Sequence, residues 1–271
     1  MIGFNNGEFQ QLSEICIPVT SLSVNRGYGA FEFFEVVRRK PFYGDRHLAR
    51  FANSLRILKL KTDFTGQLTA IIEELINRNQ LNDFYIKLFA LPHETEFAGT
   101  YQAALYAFPT HMPVFAPVLY VEGASLVTKN FQRFLPEAKS TNYLAGQYWM
   151  NEQTDPRIVD VLYHHDETVQ ETSRGNIFVV KDGQVLTPDN GILKGVTRSL
   201  VLEILNDRQI PHAETSVSLK TLQSADEVFL SSTTKHILPI TRIDGVAVGN
   251  GKSGLFTRNV MDEFKKLKGK V

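Results

Sequence analysis

The sequence predicts an α+β fold in two domains, and three observations carry that prediction. The chain has 271 residues, which suits two modest hydrophobic cores better than one. Its predicted strands and helices run in mixed order, without the regular βαβ alternation of a single parallel sheet. A proline-rich stretch, "PTHMPVFAP" (109–117), has no helical period and separates the elements into two groups, 1–112 and 113–271.

In the first group, "SEICIPVTSLSVNRGYGAFEFFEVVRRKPFYG" mixes β-branched and aromatic residues with glycine punctuation. That composition predicts strands near 31–38 and 41–43, joined by a turn. Alternation along the first strand puts Phe31 and Phe33 on one face and Glu32 on the other. "DRHLARFANSLRILKL" then spaces Leu48, Phe51, Leu55 and Leu58 along one helical face, with Asp45 as the predicted N-cap. A second helix is predicted over 65–79, where Leu68, Ile71, Ile72, Leu75 and Ile76 form the apolar stripe. Strands follow at "FYIKLFAL" and "YQAALYAF". In the second group, strands are predicted near 118–122 and 158–163 and at "NIFVVKDG", with further strands at 227–231 and 237–243. Helices fit 141–152, 196–208 and 254–267, and Val196, Leu200, Val201 and Ile204 give the middle one its rhythm.

Composition narrows the function. The chain is 43% hydrophobic and 21% charged, as ordinary globular proteins are. Its 29 basic and 29 acidic residues cancel, which argues against a nucleic-acid partner. No apolar run reaches the roughly 18–20 residues of a membrane span. The start, "MIGFNNGEFQ", lacks the basic and apolar regions of a secretory signal, and the single Cys16 cannot form an intrachain disulfide. The expected location is the cytoplasm. The seven histidines show no metal-ligand spacing, so no metal site is predicted. "GNGKSG" lacks the spacing of a phosphate-binding P-loop and is expected to be a hairpin turn.

Five stretches hold residues that can carry chemistry. Lys139, in "LPEAKSTNYLAGQ", sits among small and hydroxyl residues. A lysine becomes nucleophilic when its ammonium is desolvated or set near another cation. Glu171 precedes a polar turn and a strand, where a carboxylate can hold a charged partner. In "GILKGVTRS", Gly195 opens a helix whose first turn holds Val196 and Thr197, and backbone amides at a helix start attract anions. The run from Ser231 to Thr234 ends an apolar strand and offers hydroxyls to phosphate oxygens. Arg50 on the first helix is suited to clamping a phosphate. Taken singly, each has an ordinary structural explanation: a solvated lysine, a turn cap, a glycine-led helix, a polar turn, a surface arginine. Together they supply an amine, an acid and anion-binding turns, the set that pyridoxal 5'-phosphate requires.

In this chain order the set resembles the fold-type IV pyridoxal-phosphate enzymes. These are the class IV aminotransferases: branched-chain and D-amino-acid aminotransferases, and the related aminodeoxychorismate lyases. The resemblance begins at "RGYGAFEFFEV", similar to the family's "YGDGVFE", and continues through "HLARF", "KSTNYL", "QETSRGNIFVV", "LTP", "GILKGVTR", "ADEVFLSSTT" and "ILPITRIDGVAVGNGKSGLFT". It implies a smaller N-terminal α/β domain, a larger β-barrel-like C-terminal domain, a cofactor between them, and a homodimer. By resemblance Lys139 is the Schiff-base lysine and Glu171 the acid at the ring nitrogen. Arg50, Val196, Thr197, Ser232 and Thr233 match phosphate-binding positions, and Tyr143 the tyrosine that bonds the ring hydroxyl. Asn176 shapes the loop. The implied reaction is transamination between an amino acid and a 2-oxo acid. The alternative is an aminodeoxychorismate lyase releasing pyruvate and 4-aminobenzoate, and a third reading is a non-catalytic module that kept the fold. The chain departs from the pattern where a substrate would sit. Tyr28 stands in place of an acidic residue, Glu35 lies near a usual arginine, and "ALPHE" stands where many members carry an arginine. The candidates for substrate binding are therefore Tyr28, Phe31, Arg26 and His93, with Arg38 a further cation.

Overall fold

The computed structural model describes residues 1–92, 99–111 and 113–270. The chain forms two compact units. One comprises Met1–Pro113 with Glu137–Asn142, and the other Val114–Pro136 with Tyr143–Lys270. Its mixed helices and sheets make it an α+β protein, as the sequence predicts.

The first unit contains β1 (Ile2–Asn5), β2 (Glu8–Gln11), α1 (Leu22–Arg26), β3 (Ala30–Val37), β4 (Lys40–Pro41), α2 (Gly44–Ile57), β5 (Leu60–Lys61), α3 (Leu68–Asn79), β6 (Phe84–Pro92) and β7 (Tyr101–Thr110). The sheet runs β2-β1-β7-β6-β3-β4, with β5 beside β7. Register fixes its faces. Phe31 opposes Phe89, Phe33 opposes Lys87, and Lys87 opposes Phe108, so these side chains share one face. The other parity of β3 and β6, including Ala30, Glu32, Phe34, Ile86 and Leu88, is buried. Helix α2 buries His47, Phe51, Ser54 and Leu55, and α3 buries Leu68, Ile71, Ile72, Leu75 and Ile76. Residues 65–67, predicted as the start of α3, form a separate 3-10 turn. Asp45 is not the N-cap of α2. Tyr43 holds that position in a left-handed conformation without a side-chain cap, and Asp45 lies in the first turn, where its charge suits the helix dipole.

The second unit contains α4 (Val118–Glu122), β8 (Ala124–Asn130), α5 (Leu144–Asn151), β9 (Ile158–His165), β10 (Thr168–Thr172), β11 (Gly175–Lys181), β12 (Gln184–Thr187), α6 (Val196–Asp207), β13 (His212–Glu214), β14 (Val217–Ser218), α7 (Leu219–Gln223), β15 (Glu227–Ser232), β16 (His236–Ile243), β17 (Val246–Ala247) and α8 (Leu255–Gly269). Strands β11, β15, β16, β8, β9 and β10 pair in that order, and β10 pairs back to β11, closing a six-stranded barrel. Leu126, Leu162, Val169, Ile177, Val179, Val228, Leu230, Leu238 and Ile240 belong to one buried cluster.

The predicted strand at 118–122 is the short helix α4. Its apolar residues mislead because Val118 and Val121 face solvent and only Leu119 is buried. Gly123 (φ 88) ends it against the Thr241 side chain, and the strand starts only at Ala124. "GNGKSG" is not a hairpin turn but the connection from β17 to α8. The amides of Phe256 and Thr257 at the start of α8 already donate to the Glu227 carboxylate.

Candidate active site

Lys139 is mounted through its backbone. The segment 137–142 lies along the start of β3, with a bridge between Ser140 and Ala30. Phe31 N donates to Lys139 O at 3.0 Å, and Thr141 N donates to Gly29 O at 2.9 Å. Lys139 N donates to Ser54 Oγ at 3.0 Å, and Ser54 Oγ donates to Arg50 O at 3.0 Å. On its other side Gly29 is tightly packed: a Cβ there would meet Ser23 Oγ at 2.9 Å, Leu91 Cδ2 at 3.0 Å and Ala90 O at 3.2 Å. The Lys139 side chain forms no ion pair among the described residues, and its Nζ lies 4.4 Å from the Phe31 ring centre.

Arg50 lies on α2 beside a buried acid. Its Nε and Nη2 donate to Glu32 at 2.9 and 2.6 Å, and His47 Nδ1 lies 3.0 Å from the same carboxylate. Burial opposes the charge on Glu32, but Arg50 and His47 prevail and hold its pKa well below the carboxylate range. Burial lowers the pKa of His47, against the pull of Glu32, and Arg50 and Lys139 lower it further. The fork sets the plane of the Arg50 guanidinium.

Half-buried Lys87 lies on the aromatic face of the sheet, its Nζ 5.6 Å from the Phe31 ring centre and 4.9 Å from that of Phe89. Burial, then the charge of Lys139, lowers its pKa. Tyr28 donates its hydroxyl to Leu58 O and meets Tyr101 edge-on. Arg26 is exposed in the last turn of α1 and donates to Asn25 O, and Arg38 is exposed in a turn. His93 lies outside the described residues.

In the second unit Glu171 is clamped by its side chain. Its Oε1 accepts from Arg133 Nη1 at 3.0 Å and its Oε2 from Leu193 N at 2.9 Å. Burial opposes the charge on Arg133, but Glu171 leads the groups that raise its pKa, so the guanidinium stays charged. The Arg133 guanidinium also lies 5.7 Å from the Tyr143 ring centre. Asn176 pairs with Glu171 across β10–β11 and donates to Leu193 O at 2.8 Å, so the two residues hold the turn before α6 from both sides. A Cβ on Gly195 would meet Asn176 Oδ1 at 2.3 Å, so only glycine fits there.

Val196 and Thr197 open α6, whose N-cap Gly195 supplies no side-chain cap. Unpaired amides at such a start carry partial positive charge. Asn176 also pairs with Ser231, so the turn that holds Ser232 and Thr233 begins beside it. Ser232 Oγ accepts from Lys235 N at 3.0 Å, and Ser231 Oγ is buried with no partner among the described residues. A carboxyl group fixed by an arginine and an amide, an uncapped helix start and a buried hydroxyl with no partner among the described residues fit a protonated pyridine bearing a phosphate.

The sequence reading missed Glu32 and His47 as partners of Arg50, Arg133 as partner of Glu171, and Lys87. A signal existed for the first. Glu32 falls on the buried parity of β3 and needs a cation, and His47 and Arg50 sit three apart on the next helix. Arg133 had no local signal.

A family model described as "Amino-transferase class IV" matches residues 29–243. The D-alanine aminotransferase of Staphylococcus aureus (strain MSSA476) is 30% identical over 278 residues, covering 97% of this chain and 96% of that protein. Among solved structures, the branched-chain amino acid aminotransferase of Escherichia coli superposes with a TM-score of 0.87 at 24% identity, over 98% of this chain and 93% of that one. The 4-amino-4-deoxychorismate lyase of Pseudomonas aeruginosa superposes with a TM-score of 0.82 at 24% identity, over 93% and 95%. The chain belongs to the class IV aminotransferases, enzymes that use pyridoxal 5'-phosphate to move an amino group between an amino acid and a 2-oxo acid.

Proposed function

We propose that this chain transaminates small D-amino acids with Lys139 as its catalytic amine. The observation that carries the reading is the mounting of Lys139: its backbone is bonded on both sides while its amine ends on the Phe31 ring without a counter-ion among the described residues. The D series rests on the Staphylococcus aureus relative, named a D-alanine aminotransferase and matched at 30% identity over nearly its whole length. The branched-chain structure, at 24% identity, speaks for fold alone.

Bound pyridoxal phosphate supplies an electron sink for the charge left when the substrate Cα loses its proton. Lys139 Nζ would hold the cofactor at rest and, with its amine freed, would take the proton from the substrate Cα and hand it on to the cofactor rather than return it to Cα. Glu171, paired with Arg133, would face the ring nitrogen and favour its protonated form. Val196 and Thr197 amides and Ser232 and Thr233 hydroxyls would take the phosphate and Tyr143 the ring hydroxyl, and by the family resemblance Arg50 would also serve the phosphate. Lys87 is the best placed cation for a substrate carboxylate. It is half-buried, flanked by aromatic rings, and makes no ion pair among the described residues, whereas Arg26 is exposed. Phe31 forms the apolar wall beside it.

The lyase reading keeps one point in its favour, a sheet face bearing Phe31, Phe33, Phe89 and Phe108, which suits an aromatic ring. Borohydride trapping and peptide mapping should place the cofactor on Lys139. A panel of D- and L-amino acids with 2-oxoglutarate should favour D-alanine. A label on another lysine, turnover confined to L-amino acids, or pyruvate release from aminodeoxychorismate without a keto acid each rejects a stated part of the reading.

The chain works as a homodimer in the cytoplasm. Leu144 and Tyr148, one turn apart and exposed on α5, support a subunit contact there, and a single exposed Cys16 suits a reducing compartment. Among the described residues no helix is long and apolar enough to cross a membrane.

A further inference from the structure

A second lysine is more deeply buried than Lys139. Lys235 is 1% exposed and Asp160 is 0% exposed, and Lys235 Nζ donates to Asp160 Oδ2 at 3.0 Å. Removing two charges from water is costly, and a pair this deep is weak evidence for stability by itself. Its bonding partners are informative. Asp160 Oδ1 accepts from Val161 N at 2.9 Å and from Ser173 Oγ. Oδ2 also accepts from Thr172 Oγ1 at 3.3 Å, and Arg174 Nε lies 3.9 Å away. Residues 172–174 are the three that follow Glu171. Lys235 in turn closes the other loop: its backbone N–H donates to Ser232 Oγ, and its carbonyl accepts from the Tyr120 hydroxyl at 3.2 Å. Burial alone would raise the Asp160 pKa, yet Lys235 and then Arg174 hold it below its ordinary value, so the carboxylate is charged.

We propose that the Asp160–Lys235 ion pair is a positioning device that ties the turn after Glu171 to the Ser232–Thr233 turn and so sets that second turn for a phosphate monoester. The inference rests on the reading of Ser232 and Thr233 as phosphate ligands. Neither Asp160 nor Lys235 is among the residues proposed to hold the cofactor, so both are positioning residues.

The test compares two ligands on the same protein. Lys235→Met keeps most of the unbranched side chain and removes the charged end. Dissociation constants for pyridoxal phosphate and for pyridoxal, which lacks the phosphate, are measured by absorbance titration after the purified holoenzyme is stripped. Loss of one well-made phosphate contact predicts about tenfold weaker binding of pyridoxal phosphate, with pyridoxal changed less than about twofold. Lys235→Arg, which keeps a cation, should restore most of the difference. Equal weakening of both ligands would assign the pair to general stability, and no weakening of either would also overturn the proposal. If Lys235→Met does not fold, the double variant Asp160→Asn/Lys235→Met leaves no unpaired charge, and the same ratio is read there. Ser232→Ala is the control: if it leaves the ratio unchanged, the phosphate reading itself fails. If it shifts the ratio while the Lys235 variants do not, only the positioning role is lost.

Discussion

Lys139 and Glu171 are held in opposite ways. Lys139 is fixed by its backbone, through Phe31, Ser54 and the bridge to Ala30, while its side chain rests on an aromatic ring. Glu171 is fixed by its carboxylate, with Arg133 on one oxygen and the Leu193 amide on the other. On the roles proposed above, the difference follows from what each would have to do. An amine that alternately holds a cofactor and carries a proton must swing, so its anchor is placed where movement is not needed. A carboxylate that only sustains a charge gains from being clamped, because preorganised partners need no rearrangement when the charge is used.

The largest effect that probes this contrast is Lys139→Ala. Removing both nucleophile and proton carrier should lower turnover about 10³-fold or more. The bonds from Phe31 N to Lys139 O and from Lys139 N to Ser54 Oγ are backbone bonds on the residue 139 side, so alanine retains them. The circular dichroism spectrum and thermal midpoint should therefore stay close to wild type. An alanine variant that loses its fold would mean the side chain is part of the anchor.

Glu171→Gln probes the other side and should cost both activity and stability. Turnover should fall about 10²-fold as proton removal slows. Buried Arg133 would lose the charge of Glu171 beside it, which should lower stability in urea denaturation by about 1–3 kcal/mol. The two positions then separate cleanly, since the amine is needed for chemistry alone and the acid for chemistry and fold. Wild-type stability in the glutamine variant would remove the clamp from the account.

Glu32→Gln sharpens the comparison within the first unit, where a side-chain clamp also occurs, around Arg50. The pKa of Glu32 is lower folded than unfolded. Its contribution is therefore fully present above an unfolded value of about 4.3 and disappears as pH falls through the depressed folded value. The variant should lose about 3 kcal/mol at pH 7. The gap to wild type should narrow below about pH 4. A gap that stays constant between pH 7 and pH 3 would mean that the carboxylate charge is not what Arg50 and His47 recognise.

The same distinction explains what could be read from the sequence. Helical stripes such as Leu68, Ile71, Ile72, Leu75 and Ile76 are local signals, and α3 follows them. The β1–β2 hairpin was missed although "NNG" marks it. Asn6 and Gly7 both take positive φ, as a two-residue hairpin turn requires. The strand predicted at 118–122 failed because apolar content does not say which side chains are buried. The residues proposed for the site were read from ordered motifs, but their bonding partners were not. Arg133 reaches Glu171 across 38 positions and Lys235 reaches Asp160 across 75. Nothing local marks such pairs, because strand register and barrel closure create them. Nor did composition signal that residues 137–142 return to the first unit, since that return depends on single bonds to Gly29, Phe31 and Ser54.

Ser54→Ala makes the smallest change and tests the backbone anchor most directly. Ser54 is fully buried, and its hydroxyl both accepts from Lys139 N and donates to Arg50 O. Alanine fills nearly the same space, so packing is preserved and only the relay between α2 and the lysine segment is removed. The Lys139 amide would be left without its acceptor, at a cost of about 1–2 kcal/mol. That loss should act locally, as about tenfold faster hydrogen exchange at the Lys139 amide, with exchange in the barrel strands unchanged. The amine would then sample more positions, so turnover should fall a few-fold while KM changes little. Faster exchange with unaltered turnover would show that the swing of the side chain tolerates a loose backbone, and the contrast with the clamped Glu171 would lose its functional meaning.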